Sequence, residues 1–496
     1  MSPWIPFNLL PADTLPEWIL VALAGLDLLL KIVALGWIPH RRRPSVALAW
    51  LLAILLVPYA GIVLFLVLGS ARLPRKRMEQ QARMNHVIQE NTPPGVAVGR
   101  ELERYPQWVR TTAELNQNLG ALPMVGGNDF EILPDNHENM ARMAADVDAA
   151  TDYVHFEFYI VAVDQVSRDL LNALIRAHER GVRVRILIDH VGSLGYPGYA
   201  ELVKEFDRCG VPWRRMLPIR PWRGEWQRPD LRNHRKILVV DGRVAHTGSQ
   251  NIIHRSYNKR KNIRKGRQWR DLMIRCTGAV VTELNAVFVS DWYSETDDLL
   301  LDESPSALEP SPGPAYAQVV PSGPGFETEN NLRLFNHLIY NANRRVVISS
   351  PYFVPDESVL HALTTEAQAG VQIQLFVGET SDQFLAQHAQ NSYYSELARA
   401  GVEIYRYSSP TVLHAKFVLV DDIVSVIGSS NMDERSFALD LEVSVMIVDR
   451  EFRARMERVV EDFTACSTLL DVAAWEQRSL GRKYVENICR LTSGLL

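Results

Sequence analysis

Residues 233–251 read NHRKILVVDGRVAHTGSQN, and residues 413–431 read LHAKFVLVDDIVSVIGSSN. Both carry H-x-K-x-x-x-x-D followed by G-S-x-N, with 17 residues from the His to the Asn in each. Working outward, RGVRVRILID at 180–189 is echoed by AGVQIQLFVG at 369–378, each a helix end, a Gly stop and a strand. YVHFEF at 153–158 has its counterpart in RVVISS at 345–350. The chain is therefore an internal duplication. Tyr153 to Val161 and Val182 to Ile188 are predicted strands with a helix, Ser167 to Arg180, between them. That alternation predicts an α/β fold around a largely buried sheet. Two similar α/β halves follow, residues 125–300 and 317–470, joined by a Pro- and Ser-rich loop at 301–316.

The duplicated stretch has a geometry of its own. Arg235 to Val240 is rich in β-branched and apolar residues, so it reads as a strand on which His234 and Lys236 share a face. Asp241-Gly242 is a hairpin-turn signal. Val244 to Thr247 returns as the partner strand and brings Gly248, Ser249 and Asn251 back toward His234. His414, Lys416, Asp421, Gly428, Ser429 and Asn431 repeat the arrangement, with Asp421-Asp422 as the turn. An imidazole is a nucleophile or a general acid. A nearby Lys and Asn supply charge and donors to phosphate oxygens as they gain charge. With two copies, one His can attack phosphorus while the other protonates the leaving alkoxide. This scheme needs no metal, and the sequence offers no carboxylate cluster to hold one.

The N-terminus is of another kind. Glu17 to Pro39 is apolar apart from its charged start and Asp27 and Lys31, which lie four apart and pair on one helix face. Pro44 to Ala71 is 28 residues without a charge, against about 20 needed to span a bilayer. Joined by His40, Arg41, Arg42 and Arg43, the two runs over 1–71 predict a transmembrane helical hairpin rather than a cleaved signal peptide, whose basic residues would come first. Arg41–Arg43 and the basic residues Arg72, Arg75, Lys76 and Arg77 favour opposite orientations, so charge selects neither. Residues 72–124 read as a polar connecting segment with some helix.

Composition narrows the field. The 496 residues carry a formal net charge of −5, which speaks against a general nucleic-acid binder. Cys209, Cys276, Cys466 and Cys489 lie far apart without a C-x-x-C pair, so they form no cysteine metal site.

The paired motifs resemble those of the phospholipase D superfamily, over about residues 125–470. HFEFYI at 155–160, SPYFVPDE at 350–357, NMDERSF at 431–437 and the hairpin's LLVPYAGIVLFLVLG at 55–69 resemble bacterial cardiolipin synthases. The resemblance implies a multi-pass protein of the bacterial inner membrane. It also implies transfer of a phosphatidyl group from one phosphatidylglycerol to another, through a phosphatidyl-histidine intermediate, giving cardiolipin and glycerol without a cofactor. His234 is taken as nucleophile and His414 as general acid/base, although the sequence does not distinguish the two. Lys236, Lys416, Asn251 and Asn431 would bind phosphate oxygens, with Ser249 and Ser429 in support. Asp271 and Glu442, in WRDL and LDLE, would orient the motif histidines. Asp241 and Asp421 belong to the motif but sit in turns at the far end of the strand, so a structural role is expected.

Three readings stay beside this one: a phospholipase D with water or another alcohol as acceptor, a membrane-tethered nuclease, and a non-catalytic scaffold. Oligomeric state is not legible. The first copy alone carries a basic stretch, Arg255 to Arg267, read either as a solvated loop or as a contact with anionic lipid. In the tail 471–496, Trp475, Leu480, Tyr484, Ile488, Leu491 and Leu495 recur at helical spacing among basic residues. They suit an interfacial helix or one packed on the body. His155, His190 and His254 lie near strand ends that should frame the site.

Overall fold

A computed structural model of the chain describes residues 16–40, 44–69, 73–81, 101–223, 227–300, 313–326 and 328–493, with 42, 83 and 303 besides. It divides into two units, 1–71 and 72–496.

In the first unit three helices form, α1 (Glu17–Trp37), α2 (Pro44–Leu56) and α3 (Pro58–Leu68). The second apolar run is thus two helices and not one, because Pro58 cannot donate a backbone N–H and Val57 leaves the helical region before it. Among the described residues no helix is long and apolar enough to cross a membrane. Lys31 donates to Asp27 at 2.6 Å, closing the pair on α1. Arg42 ties the unit's ends together, donating to Ile38 O at 2.8 Å and to Gly69 O at 3.1 Å, with its guanidinium 4.8 Å from the Phe65 ring centroid. Ile38, Ala47, Ile54 and Phe65 form a small core, while Trp18, Val21, Leu28, Leu35, Leu52, Leu55 and Leu66 are exposed. Arg41, Arg43 and Arg72 lie outside the described residues.

The second unit is built on one sheet. Its first half supplies β1 (Val125–Leu133), β2 (Tyr153–Phe158), β3 (Arg183–Asp189), β4 (Trp213–Met216), β5 (Lys236–Val240), β6 (Val244–Gly248) and β7 (Met273–Thr277). The second half supplies β8 (Ala315–Ser322), β9 (Arg345–Ser349), β10 (Gln372–Gly378), β11 (Glu403–Tyr407), β12 (Phe417–Val420), β13 (Val424–Gly428) and β14 (Asp440–Val448). The order is β1-β7-β6-β5-β2-β3-β4 in one half and β8-β14-β13-β12-β9-β10-β11 in the other, the same path twice. The halves join where β1 and β8 pair antiparallel. β2, β3 and β4 run parallel, as do β9, β10 and β11, with helices such as Arg168–Glu179 as crossovers.

The helices Ala279–Thr296 and Arg450–Ala465 cover the centre of the sheet. Leu284 and Val280 from the one, and Phe452 and Phe463 from the other, pack with strands of both halves in a shared core. The duplication therefore folds as two halves with a common interior. Two short pairings cross between the halves: Arg232–Asn233 runs parallel to the start of β14, and Gln268–Arg270 runs parallel to Thr411–Leu413.

Two sequence boundaries shift. The predicted linker 301–316 ends earlier, since Ala315 and Tyr316 already belong to β8, while residues 301, 302 and 304–312 lie outside the described residues. The predicted tail helix is broken into Val472–Glu476 and Leu480–Arg490. Trp475 is buried, but Leu480, Tyr484, Ile488 and Leu491 face outward. The packed face of the last helix is instead Glu486, bound by Arg478 at 2.7 Å, together with Cys489. Leu495 lies outside the described residues.

Candidate active site

The crossing pairings set the site. His234 follows Arg232–Asn233, and its N–H donates to Leu441 O at 2.8 Å. His414 follows Thr411–Leu413, and its N–H donates to Arg270 O at 2.8 Å. Each motif His thus hangs on a strand of the opposite half. β5 begins at Lys236, two residues past His234 and one residue later than the expected start at Arg235.

The carboxylates are exchanged in the same way. Asp271 of the first half lies 2.6 Å from His414 Nδ1, and Glu442 of the second half lies 3.0 Å from His234 Nδ1. A carboxylate only accepts, so Nδ1 carries the proton and Nε2 keeps its lone pair on both rings. Ser249 Oγ donates to Asp271 at 2.7 Å, and Ser429 Oγ donates to Glu442. Both serines therefore hold the carboxylates that face the motif histidines. The glycine of G-S-x-N has a steric reason. A Cβ on Gly248 would meet Leu272 O at 2.4 Å, and one on Gly428 would meet Val443 O at 2.3 Å. These backbones, next to the two acids, approach too closely for any other residue.

Lys236 donates to His234 O at 2.5 Å and Lys416 donates to His414 O at 2.7 Å. Asn251 donates to the Tyr257 hydroxyl at 2.8 Å and accepts from Ile160 N–H at 3.2 Å. The buried Oδ1 of Asn431 has no donor among the described residues. Asp241 and Asp421 lie away from this group. Asp241 accepts from the backbone N–H groups of Thr151, Asp152 and Tyr153, and Asp421 from those of Asn343, Arg344 and Arg345. They pin the hairpin turns to the starts of β2 and β9.

His234, His414, Asn251 and Asn431 line one cavity of about 350 Å³. Residues that the motif reading did not single out line it too, among them Tyr159, Tyr196, Tyr257, Trp269, Tyr352, Asp382, Asp433, Arg435 and Asp440. Tyr159, Tyr352, Asp433 and Arg435 fall inside the quoted stretches HFEFYI, SPYFVPDE and NMDERSF, which is the signal that could have found them. The Tyr159 ring stands edge-on to His234 at 5.0 Å, with Lys236 Nζ 5.5 Å from its centroid. Arg435 donates to Asp440 at 3.2 Å. His155, His190 and His254 do not line the cavity. His155 is buried, its Nδ1 2.6 Å from Asn285 and its Nε2 2.9 Å from Glu303, and His190 accepts from Ile219 N–H.

Burial governs the protonation of the site. It pushes His234 down to about 4, aided by the charge of Lys236 and opposed by Glu442. It also pushes His414 down, with Lys416 adding to the effect. The same desolvation brings Lys236 down to about 7 and Lys416 down to about 8. Burial would raise Glu442, but the imidazole and Lys236 hold it down at about 2. Asp271 is likewise held below its ordinary value against its burial, by His414 and Lys416. At neutral pH the site thus presents two neutral imidazoles, each backed by an ionised carboxylate. Among the described residues no group of three or more His, Cys, Asp or Glu is arranged to hold a metal ion.

A family profile described as "Cardiolipin synthase, PLD-like domain" matches residues 143–292 and 335–464. The chain is 32% identical to cardiolipin synthase A of Pectobacterium carotovorum over 97% of its own length and 99% of the relative's. It is 31% identical to cardiolipin synthase A of Proteus mirabilis over 92% of its length and 94% of the relative's. Among solved structures, phosphatidylserine synthase of Haemophilus influenzae superposes with a TM-score of 0.58 at 15% identity, covering 78% of this chain and 99% of that one, a likeness of fold. With both motif copies inside the matched regions and near-complete coverage of its relatives, the chain belongs to the cardiolipin synthase family of phospholipase D-like proteins.

Proposed function

We propose that the protein is a phosphatidyltransferase that makes cardiolipin from two phosphatidylglycerol molecules by double displacement. The observation that carries this reading is the crossed pairing of Asp271 with His414 and of Glu442 with His234 around one cavity. It offers two equivalent bases at a single phosphodiester.

His234 is the nucleophile. Its depressed basicity keeps Nε2 unprotonated at neutral pH, and Glu442 stabilises the positive ring that forms on attack. The anionic phosphodiester, once bound, favours the charged form of the second ring, His414. Nε2 of His234 bonds to phosphorus and the P–O bond to glycerol breaks. His414, protonated at Nε2, gives that proton to the departing glycerol oxygen. The neutral His414 then takes the proton from a hydroxyl of the second phosphatidylglycerol. That oxygen attacks phosphorus, the P–N bond breaks, and His234 is restored. Lys236, Lys416, Asn251 and Asn431 stabilise the charge on the phosphoryl oxygens.

The first unit is the membrane anchor in this reading. Its outward apolar residues suit lipid, and the Asp27–Lys31 pair neutralises the charges inside α1. α2 and α3 together cross the bilayer as a kinked element, in the inner membrane of a bacterial cell.

Purified protein in detergent, supplied with phosphatidylglycerol labelled in its headgroup and acyl chains, tests the reaction. Cardiolipin with one glycerol per transfer is expected; phosphatidic acid as the sole product would replace transfer by hydrolysis.

A further inference from the structure

Single exposed apolar side chains are ordinary on a protein surface. In the second unit several of them share a place in the chain: they interrupt runs of residues that line the cavity. Leu194, 55% exposed, lies two residues before Tyr196. Ile263, 60% exposed, lies between Tyr257 and Trp269. Phe384 and Leu385, 64% and 46% exposed, lie between Gln383 and Ala386.

The segments that carry them touch one another. Lys259 Nζ stands 4.5 Å from the Tyr196 ring centroid, and the Tyr196 and Tyr257 rings lie 5.6 Å apart. Arg267 donates to Thr380 at 2.9 Å, joining the basic stretch to the loop before Phe384. One side of this rim is cationic, while Asp382, beside Phe384, is an exposed acid. Arg260, Lys261, Arg264 and Lys265 are exposed, and among the described residues no carboxylate lies within ion-pair distance of them. Inside, most of the cavity wall is polar or aromatic, which suits a phosphate and its headgroup.

We propose that this rim is a docking surface for an anionic lipid bilayer. Leu194, Ile263, Phe384 and Leu385 enter the interface between headgroups and acyl chains, and the helix Arg260–Arg264 lies against the headgroup charge. The lipid phosphate then rises into the cavity while its chains stay in the membrane. The inference rests on the lipid chemistry proposed above and adds the route by which substrate arrives.

The test uses the full chain in two assays. One supplies phosphatidylglycerol within phosphatidylethanolamine vesicles that hold the reconstituted protein. The other supplies dibutanoyl phosphatidylglycerol as dispersed monomers to protein in neutral nanodiscs. Ile263→Asp with Phe384→Asp, and separately Lys261→Glu with Arg264→Glu, should lower kcat/KM for vesicle lipid about tenfold while leaving monomer turnover within about twofold. Equal losses in both assays would make the rim a support of the site and overturn the proposal. Unchanged vesicle kinetics would overturn it too, and leave the surface to another partner such as a protein. Failure of the unaltered enzyme to transfer either lipid would instead sink the proposed reaction.

Discussion

The carboxylate of Asp271 lies 2.6 Å from Nδ1 of His414, although the two residues belong to different copies of the repeat. Glu442 stands to His234 in the same relation. The acid that follows each motif therefore serves the other copy's imidazole, so a defect written into one half is felt at the other half's His.

Asp271→Asn should lower kcat on the order of 10⁴-fold, the scale on which neutralising the carboxylate behind a catalytic imidazole acts. Ser249→Ala, which removes a donor to Asp271 at 2.7 Å, should have a smaller effect in the same direction. Steady-state transfer assays read both, with thermal melting as a check that the variants fold.

The two histidines should separate when the leaving group needs no proton. With a phosphatidyl ester of p-nitrophenol, His414→Asn should still release a burst of nitrophenol and hold lipid phosphate on His234. That P–N bond is labile to acid and resistant to base. His234→Asn should show neither burst nor bound phosphate. Denatured-protein phosphorus NMR reads the adduct, and a P–N signal in His234→Asn would reverse the assignment.

The pH dependence follows from the buried cations. Lys236 and Lys416, held down to about 7 and about 8, lose their charge as pH rises through those values. His234 gains a proton only as pH falls toward about 4. kcat/KM, which reports the free enzyme, should therefore fall on the alkaline side between about 7 and 8, and should go on rising below neutrality as His414, whose basicity burial lowers, takes up the proton that the leaving glycerol needs, until His234 protonates toward about 4. A profile that stays level through a pH of about 9, measured at fixed lipid composition, would contradict this.

Asp241→Ala should cost stability rather than chemistry. Three backbone N–H groups and the Thr151 hydroxyl lose their acceptor, on the order of 2–4 kcal/mol. A lower melting temperature with kcat of the folded enzyme within a few-fold is expected; a large kcat loss in well-folded protein would place Asp241 nearer the chemistry.

The repeat was legible because 17-residue spacing and strand patterning are local properties of the chain. So was the turn at Asp241, where a positive φ of 52° suits the Asp-Gly pair. The exchange of acids was not legible, because it depends on the cross-half pairing of Arg232–Asn233 with Asp440–Leu441. In the tail the apolar period was legible but the packed face was not, because the Arg478–Glu486 contact forms it and leaves Leu480 and Tyr484 outside. Val57-Pro58 was readable as a helix break, and the uniform hydrophobicity around it hid that signal.

The antiparallel seam of β1 with β8 makes one continuous sheet of the two copies, and the core beneath its centre draws on both. A solitary copy would possess a nucleophile without its acid, and could work only by meeting a twin around a two-fold axis. Fusion of the copies removes that need. Once tethered, they are free to diverge, and the cationic insertion after Asn251 has no equivalent after Asn431. A symmetric partnership could hardly have kept such a one-sided mouth.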